Sequence, residues 1–248
     1  MNEIVSWLRQ RATAATARGF VVGLSGGIDS AVVARLCQLA TPGQVAGVIM
    51  PCRSDPQDEA DAGLVADAFS LPVIRVDLET ASEALMTDAR AALDTLPREQ
   101  RPAAEGEAGR VARGNVGPRL RMATLYYVAN SLGYLVAGTG NRSELTIGYF
   151  TKYGDGGADI LPLARLLKSE VRAIARELQV PAEIIDKPPS AGLWLGQTDE
   201  GEMGFTYAEL ERYLVEGPAS VSPQLAERID KLARGSEHKR AMPPMPPK

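Results

Sequence analysis

The fold is decided by Phe20-Val21-Val22-Gly23-Leu24-Ser25-Gly26-Gly27-Ile28-Asp29-Ser30. The first five of these residues form an apolar run, which predicts a short, fully buried strand. Three small residues follow, and beyond them apolar residues recur at helical spacing as far as Leu39. The stretch therefore predicts a strand, a tight turn and a helix in direct succession.

This turn has the chemistry of an anion site. The first N–H groups of a helix lack intrahelical partners, and the helix dipole places partial positive charge there. Glycine lets the backbone come close to a phosphate, and the hydroxyls of Ser25 and Ser30 add donors. A carboxylate beside a phosphate repels it unless a cation lies between them. Asp29 therefore predicts Mg²⁺ held against a bound polyphosphate.

The alternative for this turn is that it binds nothing, since glycine-rich strand-to-helix turns occur in many α/β proteins. The sequence matches neither G-x-x-x-x-G-K-[ST] nor G-x-G-x-x-G after a strand. Ser-Gly-Gly-x-Asp-Ser instead resembles the pyrophosphate loop of the N-type ATP pyrophosphatases. That resemblance implies cleavage of ATP between its α- and β-phosphates and adenylation of a substrate oxygen.

The composition is that of a soluble globular enzyme. The 248 residues are 45% hydrophobic and 23% charged, and they suffice for one large α/β domain. The net charge of −4 disfavours a nucleic-acid or membrane-surface role, and no apolar run reaches the ~20 residues of a membrane span. Two cysteines without a C-x-x-C pair, and a start without signal-peptide features, favour a cytoplasmic location. A single histidine, His238, leaves no His/Cys cluster for zinc.

Strand and helix patterns alternate along the chain. Strands are predicted at residues 20–24, 45–50, 73–76 and 134–137, and helices at 3–17, from the first turn to 39, and at 56–70, 79–95, 115–132, 168–179, 206–216 and 223–234. Asp55-Pro56 is typical of a helix N-cap followed by proline at the first helical position. The alternation predicts a single α/β domain over residues 1–248, with a doubly wound parallel sheet and helices on both faces.

Three segments lack the pattern of a core element. Residues 96–114 are rich in Pro, Glu, Gly, Ala and Arg, which predicts a mobile loop. Such a loop either closes over substrate or is simply solvated surface. Residues 197–204 are interpreted as an acidic loop, and residues 236–248 as a flexible tail.

A second glycine-containing turn, residues 138–144, follows the fourth predicted strand. Because the carboxyl ends of parallel strands meet at one edge of a sheet, both turns are expected to touch one ligand, with Glu144 as a second carboxylate for the metal. Lys168 is predicted in the first turn of a helix, where a cation opposes the dipole. Either a bound anion explains that placement or Lys168 is an exposed, solvated lysine.

With the later motifs included, the chain resembles the ammonia-dependent NAD synthetases over nearly its whole length. The motifs occur in that family's order: Ser-Gly-Gly-x-Asp-Ser at 25–30, Pro-Arg-Leu-Arg-Met at 118–122, Gly-Thr-x-Asn-x-Ser-Glu at 138–144, Gly-Tyr-Phe-Thr-Lys-Tyr-Gly-Asp at 148–155, Lys-x-Pro-Ser-Ala at 187–191, Gln-x-Asp-Glu at 197–200 and Glu-His-Lys-Arg at 237–240. The block at 150–155 is highly specific to the family.

The resemblance implies a two-step reaction. The nicotinate carboxylate of deamido-NAD attacks the α-phosphorus of ATP and releases pyrophosphate, and ammonia then displaces AMP to give NAD. Mg²⁺ is the implied cofactor, ATP the co-substrate, and a homodimer the implied assembly. No nitrilase-like glutaminase domain accompanies the motifs, so ammonia is the expected direct nitrogen donor.

The resemblance also assigns roles to individual residues. Those expected to bind ATP are Gly23, Leu24, Ser25, Gly26, Gly27, Ile28, Asp29, Ser30, Thr139, Lys168 and Ser190. Those expected to bind deamido-NAD are Arg119, Lys152, Asp159, His238 and Lys239. Asp29 and Glu144 are expected to hold Mg²⁺. The expected catalytic residues are Asp29, Lys168 and Asp155, where Asp155 would hold ammonium and accept its proton.

Two departures from the family pattern and two rival functions bear on this assignment. Gly117 stands where many members have lysine, and Ser190 where others have threonine. The helix from Asn115 is an implied dimer contact, although its periodicity alone predicts core.

A tRNA-thiolating enzyme or GMP synthetase subunit is disfavoured, because the chain has neither cysteine pairs nor a basic RNA-binding surface. A non-catalytic ATP-binding module is disfavoured by the intact set of Asp29, Glu144, Lys152 and Lys168.

Overall fold

The computed structural model describes residues 1–101, 106–192 and 196–246. Its strands are β1 (Phe20–Gly23), β2 (Val45–Ile49), β3 (Val73–Arg75) and β4 (Leu135–Val136). They form one sheet in the order β3-β2-β1-β4, and every pairing is parallel. Beyond β4, Ala137 makes a parallel bridge to Ile160. The parallel sheet predicted from the sequence is confirmed.

Helices connect and cover the strands. They are α1 (Asn2–Ala14), α2 (Ile28–Ala40), α3 (Pro56–Phe69), α4 (Glu79–Leu93), α5 (Glu107–Gly114), α6 (Val116–Leu132), α7 (Arg142–Ile147), α8 (Lys168–Glu177), α9 (Ala182–Asp186), α10 (Asp199–Met203), α11 (Tyr207–Glu216) and α12 (Pro223–Gly235). Three-residue 3₁₀ turns lie at Arg98–Gln100, Pro218–Ser220 and Glu237–Lys239.

Successive side chains of a strand point to opposite faces of the sheet, and β1 and β2 are largely buried on both faces, whereas the edge strand β3 is exposed. Phe20 and Val22 pack in a cluster with residues of α1, α2, α3 and α8. Val21, between them, packs instead in a second cluster with Val128 and Ala129 of α6. Helices therefore lie on both faces, and the doubly wound arrangement is confirmed. A third cluster, around Leu210 and Ile229, joins α7, α10, α11 and α12.

The order of the strands places the two glycine-containing turns together. The chain moves from β1 to β2 and β3 in one direction and then returns to add β4 on the other side of β1. Ligands of open parallel sheets bind at the carboxyl edge, where the winding direction changes. α2 begins just beyond the end of β1 and α7 just beyond the end of β4, so both turns lie at that edge.

Helix caps explain where the elements of this edge begin. The Asp55 side chain accepts a hydrogen bond from the backbone N–H of Gln57 at 2.9 Å, and Pro56 is the first residue of α3, as predicted. Asn141 and Glu144 form a reciprocal capping box at the start of α7, at 3.1 and 3.2 Å. Glu144 therefore stabilises the turn in which it lies.

Two of the segments interpreted as loops contain helix. The predicted mobile loop at 96–114 includes a 3₁₀ turn at Arg98–Gln100 and the helix α5, which is followed directly by α6; residues 102–105 lie outside the described residues. Alanine and arginine favour helix, which an average over the whole segment hides. The predicted acidic loop contains α10, whose N-cap Thr198 accepts from the N–H of Gly201 at 3.2 Å.

The expectation of a flexible tail from residue 236 is wrong for its first five residues. Ser236 is buried, and the Lys239 ammonium donates to the carbonyls of Gly148 at 2.7 Å and Phe150 at 2.8 Å. Arg240 donates to the Leu145 carbonyl at 2.9 Å. Carbonyls at the end of a helix lack intrahelical partners, and cationic side chains satisfy them. Flexibility after Arg240 stays a prediction.

Among the residues that the structure describes, no helix combines the length and apolar character needed to cross a membrane.

Candidate active site

A cavity of about 430 Å³ opens at the carboxyl edge of the sheet. Of the residues expected from the sequence, it is lined by Gly23, Leu24, Ser25, Gly27, Ile28, Asp29, Ser30, Thr139, Glu144, Asp155, Lys168, Ser190 and Lys239. Gly26 belongs to the same loop but packs against α3. The fold thus brings together the first turn, the second turn, the start of α8 and the segment that contains Ser190.

Residues 24–30, which we call the Ser-Gly-Gly loop, are held by their own hydroxyls. The Ser30 hydroxyl donates to the Gly27 carbonyl at 2.8 Å, and the Ser25 hydroxyl accepts from the Gly27 N–H at 3.3 Å. Gly26 has a φ of +73°, and a Cβ there would lie 2.5 Å from the carbonyl oxygen of Asp58. Both the left-handed backbone and the close approach of α3 require glycine. The loop is therefore shaped by its sequence and by α3.

Two carboxylates converge on one ammonium group beside this loop. Lys168 Nζ donates to Asp29 Oδ2 and, at 3.2 Å, to Glu144 Oε1. Asn141 Nδ2 donates to the other oxygen of Asp29 at 3.0 Å. We call Asp29, Glu144 and Lys168 the carboxylate centre. Its members come from α2, α7 and α8, so that tertiary structure alone brings them together.

Lys168 is not an exposed, solvated lysine, which was one of the two alternatives, and the other, a bound anion, stays a prediction. Its side chain is 4% exposed, and its charge is balanced by the two carboxylates. The Lys168 ammonium also lies 5.2 Å from the centre of the Tyr207 ring. These neighbours offset the unfavourable position at the start of a helix.

Burial and neighbouring charges shift the ionisation of this centre. Burial raises the pKa of Glu144 to about 7, although Lys168 opposes the shift. The pKa of Lys168 is raised because the attraction of Asp29 and Glu144 outweighs burial. At neutral pH the lysine is therefore charged, while Glu144 lies close to its midpoint.

The carboxylate centre has the donor chemistry for Mg²⁺. Carboxylate oxygens are the side-chain ligands that this ion uses, together with water and phosphate oxygens. Asp29 and Glu144 already converge within hydrogen-bonding distance of a single cationic group. Within the described ranges, no group of three or more His, Cys, Asp or Glu residues is arranged to hold a metal ion. The protein thus offers two carboxylates, and further ligands would have to come from a bound polyphosphate and water.

A buried network behind the centre was not anticipated from the sequence. Tyr207 donates from its hydroxyl to Asp199 Oδ2 at 2.8 Å and lies 3.3 Å from Glu144 Oε1. Asp199 is buried, and its Oδ1 has no hydrogen-bond partner among the described residues. Burial raises the pKa of Asp199. The motif at 197–200 contains this residue, but its local context gave no indication that it lies beside the cavity.

Asp155 and Lys239 also line the cavity. Asp155 Oδ1 accepts from the Thr151 N–H at 2.8 Å. Its side chain is reached from the cavity, yet the surrounding protein raises its pKa by desolvation. Lys239 binds the carbonyls of Gly148 and Phe150, and burial lowers its pKa.

Arg119, Lys152 and His238 lie outside the cavity lining but are linked in one chain of contacts, which we call the rim. Arg119 Nε donates to the Lys152 carbonyl at 3.4 Å, and Lys152 Nζ donates to the His238 carbonyl at 2.5 Å. Both cations thus bind main-chain oxygens. Since Lys239 lines the cavity next to His238, the rim adjoins its mouth.

Asp159 does not join this group. Its carboxylate accepts from the Tyr126 hydroxyl at 3.0 Å and from the Val136 N–H at 2.8 Å, and it is not part of the cavity lining. In this structure it ties the end of β4 to α6. A contact between Asp159 and substrate stays a prediction.

Arg121 lines the cavity, and no role was predicted for it, although it lies in the motif at 118–122. Its guanidinium donates to the Met50 carbonyl at 3.0 Å and to the Ser54 hydroxyl at 2.8 Å. Burial lowers its pKa, while Cys52, Asp58 and Asp155 oppose the shift. A helical spacing of two from Arg119 places the two arginines on different sides of α6, one in the cavity and one at the rim.

Comparison with known proteins decides the family. A model of the family described as NAD synthase matches residues 1–243. The chain belongs to this family. Its members are ATP-using ligases that form a C–N bond. An NH(3)-dependent NAD(+) synthetase of Carboxydothermus hydrogenoformans is 49% identical over 245 residues, which cover 99% of this chain and 96% of that protein.

Solved structures of the NAD synthase family agree with the fold. An NMN synthetase of Francisella tularensis superposes with a TM-score of 0.87 at 39% identity, covering 99% of this chain and 96% of that one. An NH3-dependent NAD synthetase of Campylobacter jejuni gives a TM-score of 0.78 at 26% identity, with coverage of 99% and 96%. The family resemblance stated from the motifs is confirmed, and with it the α/β fold.

Proposed function

We propose that this protein is an ammonia-dependent NAD synthetase, which adenylates the nicotinate carboxylate of deamido-NAD with ATP and then amidates it. The observation that supports this most directly is the carboxylate centre. Asp29, Glu144 and Lys168 meet beside a Ser-Gly-Gly loop at the edge of the sheet where nucleotides bind. Relatives over nearly the whole chain have the same activity in their names.

In the first step, the chain would bind and orient the phosphates of ATP. The N–H groups at the start of α2 and the hydroxyls of Ser25 and Ser30 would face the polyphosphate. Lys168 would stabilise negative charge as the nicotinate carboxylate attacks the α-phosphorus and pyrophosphate leaves. Thr139 and Ser190 line the same cavity and would contact the nucleotide.

Mg²⁺ is part of the proposal. Bound to Asp29 and Glu144, it would neutralise charge on the phosphate oxygens that face two carboxylates.

In the second step, ammonia attacks the acyl carbon, AMP leaves, and a proton is lost. Asp155 would serve in this step, and its position in the cavity lining supports that role. An acidic group there can attract ammonium and accept its proton. Lys239 lines the cavity, and the rim is formed by Arg119, Lys152 and His238. These four residues would bind the phosphates of the dinucleotide.

A mononucleotide acceptor is the second candidate, because the NMN synthetase superposes on nearly the whole chain. The two acceptors share the nicotinate carboxylate and one ribose phosphate, so they would enter the same cavity.

One assay tests both acceptors. The protein is incubated with ATP, Mg²⁺ and ammonium, and with either deamido-NAD or nicotinate mononucleotide, while AMP and the amide product are quantified. We expect equal amounts of NAD and AMP and a higher kcat/KM for deamido-NAD. A higher value for the mononucleotide would replace the proposed acceptor, and no AMP with either would favour a binding module. A parallel reaction with glutamine in place of ammonium is expected to give no product.

The proposal includes a homodimer in the cytoplasm. α6 exposes Tyr127 by 76%, on a helix that the sequence resemblance implied as a subunit contact. Large exposed aromatic side chains are enriched at interfaces. Cys37 and Cys52 are both free thiols, which suits a reducing compartment. Sedimentation equilibrium is expected to give twice the chain mass, and a monomer at assay concentration would exclude the dimer.

A further inference from the structure

Lys187 occupies a position in the cavity wall that the proposed reaction does not use. Its ammonium donates to Asp58 Oδ1 at 2.8 Å and to Asp61 Oδ2 at 2.5 Å. The three side chains are only partly exposed, at 25% for Lys187, 28% for Asp58 and 11% for Asp61. Because it faces both carboxylates from the end of α9, Lys187 joins two distant parts of the chain, α3 and the segment 187–192.

The carboxylates belong to the part of α3 that supports the Ser-Gly-Gly loop. A Cβ at Gly26 would lie 2.5 Å from the Asp58 carbonyl oxygen and 2.8 Å from the Asp61 Cβ. Asp61 is further fixed by Gln57, whose amide donates to its Oδ1 at 2.8 Å. Any movement of Asp58 or Asp61 would therefore displace the loop.

The segment 187–192 lines the same cavity and lies against α3. It contains Ser190, whose hydroxyl accepts from the Gly192 N–H at 3.1 Å. The Pro189 carbonyl accepts from the Asp199 N–H at 3.0 Å, which links this wall to the network behind the carboxylate centre. Lys187 is the residue through which the wall is tied to α3 by ion pairs.

The carboxylates beside the Ser-Gly-Gly loop also bear negative charge that has to be balanced. Asp58 and Glu59 both line the cavity. Glu59 is neutralised by Arg75, through contacts of 2.6 and 3.2 Å. Asp58 and Asp61 have Lys187 as their ion-pair partner within the described ranges. Without Lys187, both carboxylates would lose their ion-pair partner beside a loop built to receive phosphates.

We propose that Lys187 is a positioning residue for the nucleotide: it fixes the segment 187–192 against α3 and cancels the charge of Asp58 and Asp61 beside the Ser-Gly-Gly loop. This inference rests on the proposed function in one respect, the binding of ATP at that loop. It predicts that Lys187 affects the binding of ATP and not the binding of the acceptor, whose proposed contacts lie at the rim.

The test compares Lys187→Met with Lys187→Arg, Asp61→Asn and the double variant Lys187→Met/Asp61→Asn. Lys231→Met, on the exposed surface of α12, is the matched control. Binding of α,β-methylene ATP with Mg²⁺ is measured by calorimetry, and KM values for ATP and acceptor by the product assay. We expect Lys187→Met to weaken nucleotide binding about tenfold and to change the acceptor KM less than twofold. Lys187→Arg should retain most of the affinity.

Two results separate charge from packing. The double variant should bind nucleotide more tightly than Lys187→Met, since it removes one unpaired carboxylate. The loss in Lys187→Met should also shrink at high salt, which screens repulsion. Unchanged nucleotide affinity in Lys187→Met, equal losses for ATP and acceptor, or no recovery in the double variant would each overturn the inference.

If Lys187→Met does not fold, nucleotide affinity is compared between the double variant and Asp61→Asn. Asp58 lacks its lysine partner in the double variant and keeps it in Asp61→Asn, so the double variant should bind nucleotide more weakly. The proposed function fails separately, if the unaltered protein does not bind the ATP analogue at all.

Discussion

The two sides of the cavity are built differently. On the side of the Ser-Gly-Gly loop, charged side chains bind other charged side chains, as in the carboxylate centre and around Lys187. On the side of the rim, Arg119, Lys152 and Lys239 donate to main-chain carbonyls and have no carboxylate partner in the ion pairs of the described residues.

This difference indicates how each side would receive a ligand. Opposite charges already in contact fix a geometry before anything binds, which suits the transfer of a phosphoryl or adenylyl group. A cationic side chain that donates to a neutral carbonyl loses a weaker contact when it binds an anion, because its hydrogen bond to a charged acceptor is stronger. The first side is therefore preorganised, and the second is available for exchange.

Asp29→Asn should have the largest effect of these substitutions. It removes one of the two carboxylates of the centre and should lower kcat for Mg-ATP-dependent turnover by roughly 10²–10³. The circular dichroism spectrum should not change, because asparagine fills the same volume and still accepts from Lys168. Asp67→Asn, on the exposed side of α3, is the control. Near-normal turnover in Asp29→Asn would exclude its metal role.

Lys168→Met tests what the lysine does before ATP binds. Its ammonium contacts Asp29 and Glu144, the two carboxylates that would hold a divalent ion. Its removal leaves two carboxylates without a cation, so binding of Mn²⁺ without nucleotide should tighten on the order of tenfold. Electron paramagnetic resonance of free Mn²⁺ measures this without any turnover. Weaker Mn²⁺ binding than in the unaltered protein would contradict the sharing of these carboxylates by the lysine and the ion.

Lys152→Ala tests the exchangeable side. Its ammonium donates to a main-chain carbonyl and lies 5.2 Å from the centre of the exposed Tyr153 ring, so its loss should leave the fold and ATP affinity unchanged. The KM for deamido-NAD should rise about fivefold, the scale of one charge-assisted contact. Equal effects on both substrates would remove the distinction between the two sides.

The pH dependence of stability gives the smallest expected effect. Glu144 has its pKa raised from 4.5 to about 7 in the folded chain, so between these values the folded state binds more protons than the unfolded state. The unliganded protein should therefore lose stability as pH rises through this window, by a few degrees in melting temperature. Glu144→Gln should flatten the curve. A stability that rises over the same window in the unaltered protein, and not in the variant, would contradict the shift.

Local signals in the sequence predicted the edge of the sheet well. The apolar run before Ser25, the proline after Asp55 and the glycines of the two turns all act through neighbouring residues, and each lies where it was predicted. Lys168 shows where this reasoning ends. Its partner Asp29 is 139 residues away, so its burial depends on the packing of α8 against α2 and not on its own helix.

The average composition of residues 96–114 predicted a loop because it concealed the short helix α5. α5 has eight residues within the predicted loop, and their alanines and arginines were counted with the prolines before them. The tail was misjudged for a different reason. Lys239 and Arg240 are polar and outside any apolar pattern, yet they lie against the protein because their side chains donate to main-chain carbonyls of residues 145–150.

The docked tail has a consequence for the order in which the protein is made. Gly148 is packed so closely against Ser236 that a Cβ there would lie 2.0 Å from the Ser236 Cβ, and Lys239 completes the wall that begins at Gly148. On the ribosome, the strands, the Ser-Gly-Gly loop and the carboxylate centre emerge well before these residues. A nascent chain that ends before Ser236 would contain the Ser-Gly-Gly loop and the carboxylate centre and would lack His238 and Lys239. Translation thus supplies the nucleotide machinery first and permits the complete site only when the last of its parts arrives.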